Sequence, residues 1–366
     1  MTLVVKLGSS VVANDRGALR GKVLASICRQ VGELSKQREP VVLVTSGAIA
    51  RGTSLLKRDA RPKAMDELQA TSAIGQSDLY RAYESRLKRN GVKAAQVLLT
   101  RSDITRRENY RNARHTIQRL LQWGFVPVVN ENDTTATEEI SFGDNDFLAA
   151  QIAVFLHARL LVLLTNTDGL FKSDPRSDPN AKLIKRVTNL DQIRKVEIGM
   201  TPSHLGRGGM ASKVAAAEMA TESGIRTVIC NGRTDGVLTD VAAGRPAGTR
   251  FSASKGKRKT SVFKLWLKYA NHPAASLYVD TGAANRLRKS GSSLLAVGIV
   301  KASGRFEAGD VVAVREDGSE TPIGHGITEF SAPELKRILG RKSAWVREQF
   351  PDAPDEVVHR DRFVLL

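Results

Sequence analysis

The chain has 366 residues, 41% of them hydrophobic and 26% charged, enough for two domains with ordinary globular cores. Its formal net charge of +18 invites polyanionic partners (nucleotides, nucleic acid or an acidic substrate) without choosing among them. Two cysteines, Cys28 and Cys230, exclude a disulfide framework and point to a reducing, cytoplasmic setting. MTLVVKLGSSVV reads as a strand, with neither the basic leader nor the cleavage motif of a signal peptide, and His157 and Arg159 break the longest apolar stretch, which argues against a membrane span.

Residues 1–251 alternate short apolar runs with segments of helical spacing. TLVVKLG (2–8) predicts a first strand, LRGKVLASICRQVGELSKQ (19–37) a helix and PVVLVTSG (40–47) a second strand. AAQVLLT (94–100), FVPVVNEND (125–133), RLLVLLTNTDG (159–169) and IRTVICNG (225–232) predict four more strands, and RNARHTIQRLLQWG (111–124) a helix among them. Continuous Val, Leu and Ile runs suit parallel strands buried on both faces. The alternation predicts an α/β layered fold, in which ligands bind beyond the carboxyl ends of the strands.

The character changes near residue 251. Residues 252–275 carry Lys255, Lys257, Arg258, Lys259, Lys264 and Lys268 without an acidic residue, and read as a basic linker with one amphipathic piece. Trp266 and Tyr269 fall at amphipathic spacing within it, which suits packing better than base stacking. Residues 276–366 form short strands divided by SGR, AGD and EDGSE, the pattern of a small β-barrel.

The polar residues that close the strands are the candidates for chemistry. Lys6 ends the first run and leads into Gly8, Ser9 and Ser10, a turn able to hold phosphate oxygens. Ser46 and Gly47 repeat that design. VVNENDT ends a strand with Asn130, Glu131, Asn132 and Asp133, groups able to bind the ammonium and carboxylate of a small amino acid. Asp144, Asn145 and Asp146 then open a helical pattern, and three such residues exceed what a cap needs. GRGGMASK sets Gly206, Gly208 and Gly209 ahead of Lys213, a glycine-rich approach to a helix that suits phosphate. Each motif alone also fits plain capping or tight packing. Together they describe phosphoryl transfer, which needs positive charge on the moving group and two reactants held in line.

In order, VVKLGSSV, VTSGAIA, AIGQS, NENDT, FGDND, LLTNTDGLF, DPR and GGMASK closely resemble the glutamate 5-kinases of the amino acid kinase family. GSSLLAVGIVKASGRFEAGDVV, IGHGI and VHRD resemble the PUA domain that many bacterial members carry. The resemblance spans almost the whole chain. It implies a three-layer α/β/α kinase domain with a mainly parallel sheet over 1–251 and a PUA domain over 276–366. It implies that Lys6 and Lys213 stabilise the phosphoryl group while Asp146 holds both lysines. Ser46, Asp133 and Asn145, with Asp144 close by, would bind glutamate. Thr165, Asn166 and residues 207–213 (Arg207, Gly208, Gly209, Met210, Ala211, Ser212 and Lys213) would bind ATP. The chain departs from the family pattern twice: Asn166 stands where Asp is usual, and Arg207 where a small residue is usual. Both changes make the nucleotide site more positive.

The expected reaction is ATP-dependent phosphorylation of the side-chain carboxylate of L-glutamate, the opening step of proline biosynthesis. Mg²⁺ would arrive with ATP, with no protein-only metal site. The resemblance further implies feedback inhibition by proline, a homo-oligomer (dimer or tetramer) and hand-off of product to glutamyl phosphate reductase. RNA binding would be weak and unspecific. The alternatives are a kinase of another small acid, or a regulatory or RNA-binding protein with an impaired kinase site.

Overall fold

The computed structural model describes residues 2–58, 60–100, 103–104, 107–135, 145–188, 209–253, 264, 267–268, 273, 275–350 and 354–366. The chain divides into two compact units, Met1–Arg258 and Lys259–Leu366.

The first unit is built on one eight-stranded sheet. Its strands are β1 (Leu3–Leu7), β2 (Val41–Val44), β3 (Lys93–Leu99), β4 (Phe125–Glu131), β5 (Leu160–Thr165), β6 (Arg186–Val187), β7 (Arg226–Asn231) and β8 (Thr249–Phe251). They lie in the order β3-β4-β2-β1-β5-β7-β8-β6. The six long strands run parallel; β8 runs antiparallel to β7 and parallel to β6. β1, β2 and β5 are buried along their whole length, as their unbroken apolar runs require. Each such aliphatic side chain contributes about 1.5–3 kcal/mol relative to exposure, so the centre of the sheet anchors the unit.

Among the described residues the helices of this unit are α1 (Ser9–Val12), α2 (Gly21–Lys36), α3 (Ala48–Leu55), α4 (Met65–Arg89), α5 (Arg107–Gln122), α6 (Asn145–Phe155), α7 (Met210–Glu222) and α8 (Val237–Ala242). Leu24, Ile27, Cys28, Val31 and Leu34 of α2 pack with Leu79, Tyr83 and Leu87 of α4 and with the sheet in one core. α6 is buried from Asp146 to Phe155, apart from part of Phe147, and so reads as nearly continuous apolar sequence. α3 and α4 approach more closely than side chains permit. A Cβ on Gly75 would lie 1.9 Å from the Ala48 carbonyl oxygen, and one on Gly52 would lie 1.9 Å from that of Thr71. Two facing glycines therefore set this crossing, and it fixes how α4 meets the end of β2.

The second unit has a five-stranded sheet and a two-stranded one. β9 (Ser276–Val279), β11 (Ile299–Ser303), β12 (Val311–Glu316), β13 (Pro322–Ile327) and β15 (Phe363–Leu365) lie in the order β11-β9-β12-β13-β15; β10 (Leu294–Leu295) pairs with β14 (Glu356–Val358). Its core gathers Leu277, Val279, Val312, Val314, Phe330, Leu335 and Val357. Three helices absent from the sequence expectation complete it: α9 (Thr281–Ser290), α10 (Ala332–Ile338) and α11 (Ser343–Gln349). α9 is capped by Asp280, which accepts from Ala283 N–H, and α10 by a Ser331–Glu334 capping box. Within this unit Leu267 is buried and its carbonyl oxygen lies 3.1 Å from His325 Nδ1. Trp266, Tyr269 and most of the basic run lie outside the described residues.

Candidate active site

Register puts the polar strand ends side by side. Lys6 pairs with Val44 of β2 and Leu163 of β5, Val44 with Val129 of β4, and Thr165 with Asn231 of β7. The residues that close β1, β2, β4, β5 and β7 thus share one carboxyl edge. β1 is the switch point there, with β2 on one side and β5, reached much later in the chain, on the other. Thr45 N–H donates to Val129 O and Asn132 N–H to Leu99 O, which extends the sheet's order into the polar ends.

The centre of this edge is Asp146, in the first turn of α6 and wholly buried. Its Oδ1 lies 2.6 Å from Lys6 Nζ and its Oδ2 lies 2.9 Å from Lys213 Nζ. Ser212 Oγ also lies within 3.1 Å of Oδ2 and 3.0 Å of the Gly209 carbonyl oxygen. Both lysines are buried, one from the end of β1 and one from the first turn of α7. Charges out of water persist only when paired, so the carboxylate is what keeps two ammonium groups at one point.

Beside it stands a chain of amides. Asn145 Nδ2 donates toward Thr45 O (2.6 Å), Asn130 Oδ1 (2.8 Å) and Ser46 Oγ (3.0 Å). Asn130 Nδ2 donates in turn to Gln76 Oε1 at 2.6 Å. Asp133 accepts from Ser72 Oγ at 2.6 Å. Burial pushes the Asp133 carboxyl above the usual carboxylate range, opposed by the Ser72 hydrogen bond and the charge of Arg61. Thr45 Oγ1 lies 2.9 Å from Tyr83 Oη. Ser72, Gln76 and Tyr83 all come from one face of α4, the face that the glycine crossing brings to β2. Gly47, between Ser46 and α3, has a φ of 104°, a left-handed conformation suited to glycine.

On the other side of β1, Gly232 N–H donates to Thr165 O, and Asn231 Nδ2 donates to Asp168 Oδ1 at 2.9 Å. Arg233 donates to the Ser10 carbonyl at 3.1 Å, and burial and the charge of Arg20 push its guanidinium below its usual range. Thr165 is buried and Asn166 exposed. Gly209, Met210, Ala211 and Ser212 lead to Lys213 with Gly209 as the α7 cap, in extended backbone.

Residues 1–231 match the model of the amino acid kinase family, and residues 275–350 match the PUA domain. A glutamate 5-kinase from Pelobacter propionicus is 41% identical over 369 residues, covering 100% of this chain and 97% of that one. Another, from Caldanaerobacter subterraneus subsp. tengcongensis, is 41% identical over 368 residues, covering 100% and 98%. The chain belongs to the amino acid kinase family, in its glutamate 5-kinase branch. It is a kinase, and it carries a PUA domain in its second unit.

Within this amino acid kinase domain the fold brings together Lys6, Asp146, Ser212 and Lys213, and separately Ser46, Asn145 and Asn130. Asp133 lies with Ser72, and Thr165 on the far side of β1. Asp144, Arg207 and Gly208 lie outside the described residues. Gly8 N–H is spent on Leu164 O, so that amide serves the β1–β5 pairing. Sequence reasoning did not single out Ser72, Gln76 or Tyr83. Ser72 directly precedes AIGQS (73–77), and its i, i+4 spacing with Gln76 held a signal, but nothing local says what that face meets. Among the described residues no three His, Cys, Asp or Glu side chains converge to hold a cation. Asp146, the carboxylate nearest the lysines, is taken by both of them.

Proposed function

We propose that this kinase transfers the γ-phosphoryl group of MgATP to the side-chain carboxylate of L-glutamate, giving L-glutamyl 5-phosphate. The observation that carries the reading is Asp146 buried between Lys6 and Lys213 at the carboxyl edge of the sheet. A carboxylate oxygen of the acceptor attacks the γ-phosphorus, the bond to the bridging oxygen breaks, and ADP leaves. The two ammonium groups neutralise the equatorial oxygens as charge spreads over them, and their fixed positions avoid reorganisation at that moment. Asp146 orients the lysines.

Ser46, Asp133 and Asn145, with Asp144, hold the acceptor. Ser46 Oγ, 3.0 Å from the Asn145 amide that donates toward it, still carries its own proton and donates it to a substrate carboxylate. Asp133 and Asn145 Oδ1 accept from the substrate ammonium. Thr165, Asn166 and residues 207–213 bind the nucleotide. Proline, a cyclic relative of glutamate, would compete through the same imino- and ammonium-binding groups. The enzyme would work in the cytoplasm as a dimer or tetramer. Its acyl phosphate product is labile, which suits direct hand-off to glutamyl phosphate reductase.

The RNA-binding reading with an impaired kinase site is not favoured, because Lys6, Asp146 and Lys213 are all present and already paired. The test is hydroxamate trapping with MgATP and, in turn, glutamate, aspartate, N-acetylglutamate and carbamate. Glutamate should give the strongest signal. A signal from another acid, with none from glutamate, would remove the substrate and leave the kinase.

A further inference from the structure

The amide chain behind the acceptor site has a direction, and one atom sets it. The Thr45 carbonyl oxygen can only accept, so the Asn145 group 2.6 Å away must be its NH₂. The Asn130 atom 2.8 Å from that NH₂ must then be Oδ1, which turns Asn130 Nδ2 toward Gln76. The Gln76 atom 2.6 Å beyond must be Oε1. None of the three amides can flip alone without setting two donors or two acceptors against each other. Among the described residues Asn145 Oδ1 takes no partner, so the chain presents it as a hydrogen-bond acceptor at the mouth of the site.

We propose that Gln76 is a positioning residue for acceptor recognition: it holds Asn130, and through Asn130 keeps Asn145 Oδ1 facing the substrate ammonium. The inference rests on the acceptor assignment above. Gln76 and Asn130 are both buried, so Asn130 Nδ2 has no water to replace a lost glutamine. Gln76 reaches Asn130 only because its neighbour Gly75 lets α4 close against α3, where a Cβ would lie 1.9 Å from the Ala48 oxygen. A fixed acceptor aimed at an ammonium distinguishes glutamate from the same diacid without its amine.

The test therefore compares glutamate with glutarate in the full-length enzyme. Gln76→Met keeps length and volume but removes the acceptor for Asn130. The KM for glutamate should rise about tenfold, the size expected for loss of a well-placed polar contact. The Ki of glutarate as a competitive inhibitor and the KM for ATP should stay at their wild-type values. Gln76→Glu restores an acceptor oxygen and should return the glutamate KM toward wild type. If Gln76→Met does not fold by circular dichroism, Gln76→Ser takes its place with the same expectation. An unchanged glutamate KM overturns the inference. So does a rise of glutarate Ki and ATP KM in step with glutamate KM, which marks general loosening, or failure of Gln76→Glu to improve on Gln76→Met. If the wild-type enzyme forms no hydroxamate from glutamate, the acceptor assignment itself falls and takes this inference with it.

Discussion

Replacing Asp146 by Asn keeps the shape of the side chain and removes its charge. In the wild type the carboxylate is fully buried, and the side chains of Lys6 and Lys213 are 4% and 7% exposed at 2.6 and 2.9 Å. The variant leaves two buried ammonium groups facing an amide. Removing one partner of a buried ion pair costs about 3–5 kcal/mol, chiefly because the remaining charge stays desolvated. The two pairs share one carboxylate, so the cost is not simply doubled. With a urea dependence of about 1–3 kcal/mol per molar, the unfolding midpoint should fall by at least about 1 M. Turnover should fall more sharply, because both cations lose their fixed positions; one such group alone is commonly worth about 10²–10³ in kcat. A second substitution separates the two effects. Asp146→Asn with Lys213→Met removes one unpaired ammonium, so it should regain part of the lost stability and none of the turnover. The assays are urea unfolding followed by circular dichroism and hydroxamate formation at saturating substrates. A single variant with wild-type midpoint and turnover within tenfold of wild type would refute the tether. Recovery of turnover in the double variant would remove Lys213 from the chemistry.

Burial raises the native pKa of Asp133 above 3.8, so its neutral form contributes stability below that pH and the contribution is lost as pH rises through the raised value. In activity the sign reverses: the KM for glutamate should climb as pH falls through a value above that of an ordinary aspartate, and Asp133→Asn, measured over the same range, should flatten the climb. Gly75→Ala would gain about 1 kcal/mol at an open helix position, but its Cβ would lie 1.9 Å from Ala48 O and 2.5 Å from Gly52 N. No rotamer relieves a clash with backbone, so a net loss of about 1–3 kcal/mol should appear as a lower Tm, together with weaker glutamate binding. Cys28 and Cys230 are buried, and their thiols are pushed up to about 12. Iodoacetamide at pH 8 should label neither in the native enzyme and both in urea; rapid native labelling would contradict their burial.

The sequence by itself determined the strands. Six runs rich in Val, Leu and Ile form the six long parallel strands; five are largely buried, as such sequence requires, whereas β3, at the edge of the sheet, leaves Lys93, Gln96 and Leu98 exposed, against the expectation of burial on both faces. It also marked candidates for chemistry, since Lys6, Ser46 and Asn130 each lie where an apolar run turns polar. Strand order was another matter. Lys6 and Asp146 are 140 positions apart by number, and nothing local states that β1 lies between β2 and β5 or that the first turn of α6 meets it. The three helices of the second unit were missed because short amphipathic segments among strands and turns look like more of the same. Only the tertiary structure gave α4 its role. Ser72 and Gln76 read locally as polar residues of an ordinary helix, and they become the back wall of the site because two glycines let α3 and α4 touch. A hydrogen bond's direction is likewise a property of neighbours: Asn145 presents its oxygen because the Thr45 carbonyl, 100 residues away in sequence, can accept and cannot donate.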